Sequence, residues 1–198
     1  MRSLCSRSSE ALKGDVSIPG DKSISHRALI LGASAVGETR ISGLLEGEDV
    51  LATAAALRCL GAGVERGADG VWHVHGRGVG GFDEPSAVLD MGNSGTAARL
   101  IIGLVASQPF TSFFSGDASL CARPMKRIIE PLTKIGAAFQ AREGSRLPLA
   151  VSGAQDPIPI AYTLPVASAQ VKSAILFAAL NTPGRTTVVE AQPTRDHS

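Results

Sequence analysis

Apolar residues along the chain gather into three short runs, at 28–35, 100–106 and 174–180, and a small polar cluster opens each one. The clusters are Lys22-Ser23-Ile24-Ser25-His26-Arg27, Asn93-Ser94-Gly95-Thr96-Ala97-Ala98-Arg99 and Ser168-Ala169-Gln170-Val171-Lys172-Ser173. They recur roughly every 70 to 75 residues, the mark of one supersecondary unit used repeatedly. The runs are apolar nearly all round, which predicts helices buried on every side. Each polar cluster then sits at a helix N-terminus, where free backbone N–H groups and the positive end of the dipole bind anions.

The second half of the unit repeats too. Residues 49–60 read as an amphipathic helix with acids in its first turn, stopping at Gly61. A strand at 63–66, a turn at 67–70 and a strand at 71–75 follow. The second copy is a helix over 124–135 with Pro124 at its first position, a stop at Gly136, and strands at 138–142 and 147–152. Leu60-Gly61-Ala62 and Ile135-Gly136-Ala137 fix the register between copies. Lead-in strands are predicted at 15–18, 87–90 and 160–164. The third copy passes through a strand at 186–190 and stops at Ser198, where its second helix is due, which predicts a chain about half the length of a finished protein.

Composition narrows the class. Net charge is +1 and only eight aromatics are present, so neither a global field nor a stacking surface points to nucleic acid. No apolar run reaches the roughly 18 residues of a membrane span. Cys5, Cys59 and Cys121 are odd in number and widely spaced, which fits a reducing cytoplasm better than a disulfide framework. The Ser/Arg-rich start lacks the apolar core of a secretory signal and reads as a tail.

Several motifs fail their context. Gly20-Asp21-Lys22-Ser23 has Asp21 where a P-loop needs Gly before Lys. Gly76-Arg77-Gly78-Val79-Gly80-Gly81 satisfies G-x-G-x-x-G, but Phe82-Asp83-Glu84-Pro85 is no helix start, so a glycine-rich connection is the better reading. His73 and His75 share a strand face without a third metal ligand nearby. Cys121 reads as a small, half-buried thiol more readily than as a nucleophile. Asp49, Asp90 and Asp117 read as cap or turn residues.

Cations at a positive helix end weaken the dipole interaction, so Lys22 and Arg27 there, and Lys172 with Ser168 and Gln170, make sense mainly around a bound anion. Arg123 and Arg195 begin the second helices of their units and can point at the same ligand.

Gly20-Asp21-Lys22-Ser23-Ile24-Ser25-His26-Arg27, Gly92-Asn93-Ser94-Gly95-Thr96, Arg123-Pro124-Met125, Ser168-Ala169-Gln170-Val171-Lys172 and Thr194-Arg195-Asp196-His197 together resemble the 5-enolpyruvylshikimate-3-phosphate synthases, from about residue 12 to the end. The Ser-Ala-Gln-x-Lys and Arg-x-His signatures are similar to the class II branch of that family, known for glyphosate tolerance. The resemblance implies an inside-out α/β barrel domain of βαβαββ units, at about 19–82, 83–155 and a truncated 156–198. Residues 1–18 and an absent C-terminal half would form the other domain. It also implies transfer of the enolpyruvyl group of phosphoenolpyruvate to the 5-hydroxyl of shikimate 3-phosphate, in aromatic amino-acid biosynthesis, without cofactor or metal. Carried over by motif position, Lys22 would touch both substrates and assist the reacting enolpyruvyl group. Ser23 and Arg27 would hold the shikimate carboxylate side, and Ser168, the Ala169 backbone N–H and Arg195 the 3-phosphate. Gln170 would lie near the ring and touch both substrates. Gly95, Thr96 and Arg123 would line the phosphoenolpyruvate site, with Asn93 shaping the loop. Gly95 stands where a tolerant enzyme of this branch has Ala, and a side chain there would crowd glyphosate as an inhibitor. The family's acid–base carboxylates lie in the absent half, which implies a complementary C-terminal fragment as partner and an inactive chain on its own.

Two rivals carry different expectations. The sister transferase acting on UDP-N-acetylglucosamine opens with Lys-Asn and places a reactive Cys before Arg-Pro, whereas Cys121 is offset from that place. A non-catalytic anion-binding module would keep the pocket without turnover.

Overall fold

Three side chains set the inner helices. In this computed structural model, which describes residues 4–11 and 13–191, Asp21 Oδ1 accepts from Ile24 N at 2.8 Å, Ser94 Oγ from Ala97 N at 3.1 Å and Ser168 Oγ from Val171 N at 3.4 Å. Each bond satisfies an N–H that a new helix leaves without a partner. The chain runs α1 (Lys22–Ser34), β1 (Val36–Ile41), α2 (Glu48–Cys59), β2 (Gly63–Arg66) and β3 (Trp72–Arg77). It repeats as β4 (Leu89–Asp90), α3 (Gly95–Val105), β5 (Thr111–Ser115), a short α4 (Ala118–Cys121), α5 (Lys126–Ile135), β6 (Ala138–Arg142) and β7 (Arg146–Ser152). β8 (Ala161–Leu164), α6 (Ala169–Leu180) and β9 (Thr187–Glu190) open a third pass.

α1, α3 and α6 run side by side in one direction. Gln170 Nε2 reaches Thr96 Oγ1 at 2.9 Å near the start of α6 and α3, and Asn181 Nδ2 reaches Ser107 O at 2.6 Å past their ends. Arg27 Nη2 donates to Ser173 Oγ at 2.8 Å, joining α1 to α6. α3 and α6 approach backbone to backbone at Gly103, where an added Cβ would stand 2.5 Å from Ala174 O. α2 packs against α1 and α3, and α5 against α3 and α6. The sheets lie outside: β1-β3-β2 antiparallel, β4-β5-β7-β6 with β4 parallel to β5, and β8 parallel to β9. Helices inside and sheet outside is the inside-out α/β arrangement expected from the sequence. Apolar burial drives it: one continuous core runs from Leu29 and Ile30 through Leu100 and Ile101 to Ile175.

Four expectations need correction. Residues 15–18 are not a strand; Val16 and Ile18 are each 84% exposed, and among the described residues β1 has no parallel lead-in neighbour of the kind β5 and β9 have. A strand without a ladder partner has nothing to satisfy its backbone. Pro124 is not the first residue of α5, because Met125 caps the helix and Lys126 begins it. α4 went unforeseen, since it is a single turn set by Asp117. Only α3 is buried nearly all round. On α1 and α6, Leu31, Leu176 and Leu180 stay 51%, 45% and 44% exposed. Among the described residues no outer helix covers the groove between α1 and α6, as α2 and α5 cover the other two.

Candidate functional site

The first turns of α3 and α6 face one another and build the centre of the site. Gln170 is held at both ends of its amide: Nε2 donates to Thr96 Oγ1, and Oε1 accepts from Arg99 Nη1 at 3.0 Å. The same Arg99 nitrogen donates back to Gly95 O at 3.0 Å. Glycine at 95 leaves room for this guanidinium, since a Cβ there would stand 2.7 Å from Arg99 Nη1 and 3.3 Å from Arg123 Nη1.

Arg123 is placed by the loop around α4. Asp117 caps α4 by accepting from Leu120 N at 2.7 Å, and its other oxygen accepts from Asn93 Nδ2 at 2.6 Å. Asn93 Oδ1 in turn accepts from Arg123 Nη2 at 3.0 Å, which also donates to Ser119 Oγ at 3.1 Å. Hydrogen bonds from the Leu120 backbone and then the Asn93 side chain hold the Asp117 carboxyl below its ordinary pKa.

These pieces enclose a cleft of about 340 Å³ lined by Arg99, Arg123, Pro124, Arg127, Ser168, Gln170 and Val171. Three guanidinium groups share it, with no carboxylate among the described residues of the lining. Burial first, then Arg123 and Arg127, hold Arg99 below its ordinary pKa. Like charges gathered without a counter-charge, at the N-terminus of α6, make a receptor for anions. Among the described residues no three His, Cys, Asp or Glu side chains gather as a metal site.

The N-terminus of α1 forms a second region. Lys22 pairs with Asp49 of α2, in its own hollow with Leu45, Gly47, Glu48 and Val50. Ser25 Oγ donates to Asp21 O at 2.7 Å and accepts from Leu45 N at 3.0 Å, tying the loop ahead of α2 to the helix. His26 is fully buried with Nδ1 2.7 Å from Thr53 Oγ1, and burial lowers its pKa to about 4. Arg27 donates to Ser23 O at 3.0 Å as well as to Ser173. Lys172 pairs with Glu190 of β9 at 3.1 Å.

Of the residues singled out from sequence, Asn93, Gly95, Thr96, Arg123, Ser168 and Gln170 come together around the one cleft, with Ala169 as the first residue of α6. Arg27 reaches α6 from α1, with Ser23 beside it. Lys22 does not line that cleft; its ion pair turns it toward α2. Arg195 lies outside the described residues. Two arginines were missed. Arg99 stands in the second turn of α3 much as Arg27 stands in α1, and Arg127 follows Arg123 by one helical turn, so the repeat register and the i, i+4 spacing both carried a signal. Asp49 is an ion-pair partner rather than a cap, whereas Asp90 accepts from Gly92 N at 2.9 Å in a turn and Asp117 caps α4. The glycine-rich stretch opens no helix: Gly76 and Arg77 close β3, where a Cβ on Gly76 would stand 2.2 Å from Ala35 O, and Gly78 to Gly81 form a turn closed by Gly81 N donating to Gly78 O at 3.2 Å.

Parallel inner helices, two of which begin at an arginine-lined cleft, define an α/β protein with a cationic site. The family profile described as EPSP synthase (3-phosphoshikimate 1-carboxyvinyltransferase) matches residues 6–198, and the chain belongs to that family. It is similar to the 3-phosphoshikimate 1-carboxyvinyltransferase of Parvibaculum lavamentivorans, 67% identical over 196 residues that make up 99% of this chain and 44% of the relative. The same enzyme of Paramagnetospirillum magneticum is 64% identical over 98% of this chain and 44% of its own length. Two structures of EPSP synthase from Acinetobacter baumannii superpose with TM-scores of 0.88 and 0.89 at 48% identity, covering 93% and 94% of this chain but 42% and 43% of theirs. The chain thus spans less than half the length of the relatives it matches.

Proposed function

We propose that this chain is the N-terminal, substrate-holding part of a cytoplasmic transferase that moves the enolpyruvyl group of phosphoenolpyruvate to the 5-hydroxyl of shikimate 3-phosphate. The carrying observation is the carboxylate-free cleft where Arg99, Arg123 and Arg127 meet Ser168 and Gln170. Each substrate bears a phosphate and a carboxylate, so the pair brings four anionic groups into one place, and such a cleft supplies fixed opposite charge. Ser168 and the free N–H of Ala169 hold the 3-phosphate, with Arg195 assisting. Ser23 and Arg27 hold the carboxylate side of the shikimate ring. Asn93 fixes Arg123, and Gly95, Thr96 and Arg123 receive phosphoenolpyruvate, while Gln170 orients both molecules. Lys22 leaves Asp49 when anions arrive and stabilises charge on the reacting enolpyruvyl group.

In the reaction the 5-hydroxyl gives its proton to a base and its oxygen bonds to C2 of phosphoenolpyruvate, while the C2–C3 double bond opens and C3 takes a proton from an acid. The adduct then loses one proton of its C3 methyl group and inorganic phosphate from C2, which restores the double bond. The acid–base groups come from the further length that the relatives possess, so the chain alone holds substrates but does not turn them over. No cofactor takes part, and glyphosate competes at the phosphoenolpyruvate side.

The test is co-expression with the C-terminal portion of the Parvibaculum relative and assay of phosphate release. Turnover that needs both pieces and both substrates supports the reading. Tight binding without turnover in the assembled pair would make the chain a non-catalytic anion-binding module. Normal turnover by the 198-residue chain alone would overturn the half-site reading.

A further inference from the structure

We infer that Arg127 is a third substrate-holding guanidinium, facing the phosphate bound at the N-terminus of α6. The inference rests on the reading of the cleft given above and adds a residue to it. Arg127 lines the cleft beside Ser168 and Arg123. Arg99 is engaged by Gly95 and Gln170, and Arg123 by Asn93 and Ser119. Arg127 has neither hydrogen bond nor ion pair within the described residues, so its five donors remain available. The nearest acid along α5, Glu130, pairs with Lys126 at 3.7 Å.

Its place on α5 points the same way. The first turn of α5 has no side-chain cap and no acid, yet carries Lys126 and Arg127, two cations at the positive end of a helix. Arg127 also raises the positive field at Arg99. Both arrangements cost stability, and a dianionic phosphate between Arg127 and Ser168 offsets both. Ala169 contributes no side-chain donor at this helix end, so a bidentate guanidinium supplies what a hydroxyl would otherwise give.

The experiment titrates the 198-residue chain with shikimate 3-phosphate, inorganic phosphate and unphosphorylated shikimate, in wild type, R127Q, R127K, R123Q and K126Q. R127Q is expected to weaken both phosphorylated probes by about five- to tenfold. R127K should recover part of the loss, shikimate should be unaffected, and K126Q should match wild type. Thermal melting should not fall, because the side chain is exposed and unpaired and its charge is repelled by Arg99 and the helix end. Equal loss for shikimate would assign Arg127 a structural role and overturn the inference, and so would wild-type affinity in R127Q. If R127Q has no effect while R123Q weakens binding, only Arg127 is excluded. If neither matters, the reading of the cleft falls with it.

Discussion

Replacing Gly95 by Ala tests whether the cleft is limited by one guanidinium. The backbone accepts Ala, since residue 95 starts α3 without a positive φ, and a helix position gains up to about 1 kcal/mol on Gly→Ala. The new Cβ meets Arg99 Nη1 at 2.7 Å, so the guanidinium must retreat by roughly 0.8 Å to reach an ordinary contact near 3.5 Å. That motion strains two 3.0 Å bonds, to Gly95 O and to Gln170 Oε1. A charge-assisted bond contributes about 1.5–3 kcal/mol when buried and less at this half-exposed site. Loss and gain therefore nearly cancel in stability, to within about 1 kcal/mol, or a melting shift of roughly 2–4 °C. Anion affinity does not cancel: Arg99 and Arg123 both move, and on the function proposed above phosphoenolpyruvate or glyphosate binding should fall about tenfold. The decisive assay is a double-mutant cycle with R99A, read by titration and by melting. On the R99A background G95A should become neutral in anion affinity and stabilising by up to about 1 kcal/mol, giving a coupling of about 1 kcal/mol in each readout. An affinity penalty of unchanged size without Arg99 would refute the steric chain from Cβ to guanidinium.

Three further outcomes follow from the geometry. Burial depresses the His26 pKa below its unfolded value of 6.5 to about 4, so the unfolded chain binds the proton first as pH falls; stability is intact above pH 6.5 and declines toward pH 4 by roughly 3 kcal/mol, a slope that H26Q should flatten in denaturant titrations. G103A should destabilise by more than about 2 kcal/mol in the same assay, because its Cβ meets the Ala174 backbone at 2.5 Å and 2.6 Å, and backbone cannot turn aside as a side chain can. D49N removes the partner of Lys22 from a half-exposed pair and should change stability by about 1 kcal/mol or less, which chemical denaturation would register.

The fold was legible where local chemistry and tertiary demand agree. The polar clusters at 22–27, 93–99 and 168–173 announce the inner helices, and the Leu-Gly-Ala and Ile-Gly-Ala stops set the register of the hairpins that follow. Residues 15–18 misled because alternation describes a strand's faces and says nothing about whether a neighbour exists to pair with it. Leu31, Leu176 and Leu180 misled similarly: an apolar surface records what a helix can bury, whereas its exposure depends on the element opposite. At the cleft, motif residues such as Gly95, Arg123, Ser168 and Gln170 were recognised together. Arg99 and Arg127 went unassigned although register and i, i+4 spacing pointed to them, because spacing marks a shared helix face, and that this face looks into a cleft emerges only when α3, α5 and α6 converge.

α3 is gripped by α2 on one flank and α5 on the other, and so belongs to two copies of the repeat at once. In a linear array a module can melt while its neighbours stand. Here the modules share their central rods, so seams in the sequence are not seams in space, and a lesion in α3 should loosen material on both sides of it in a single step.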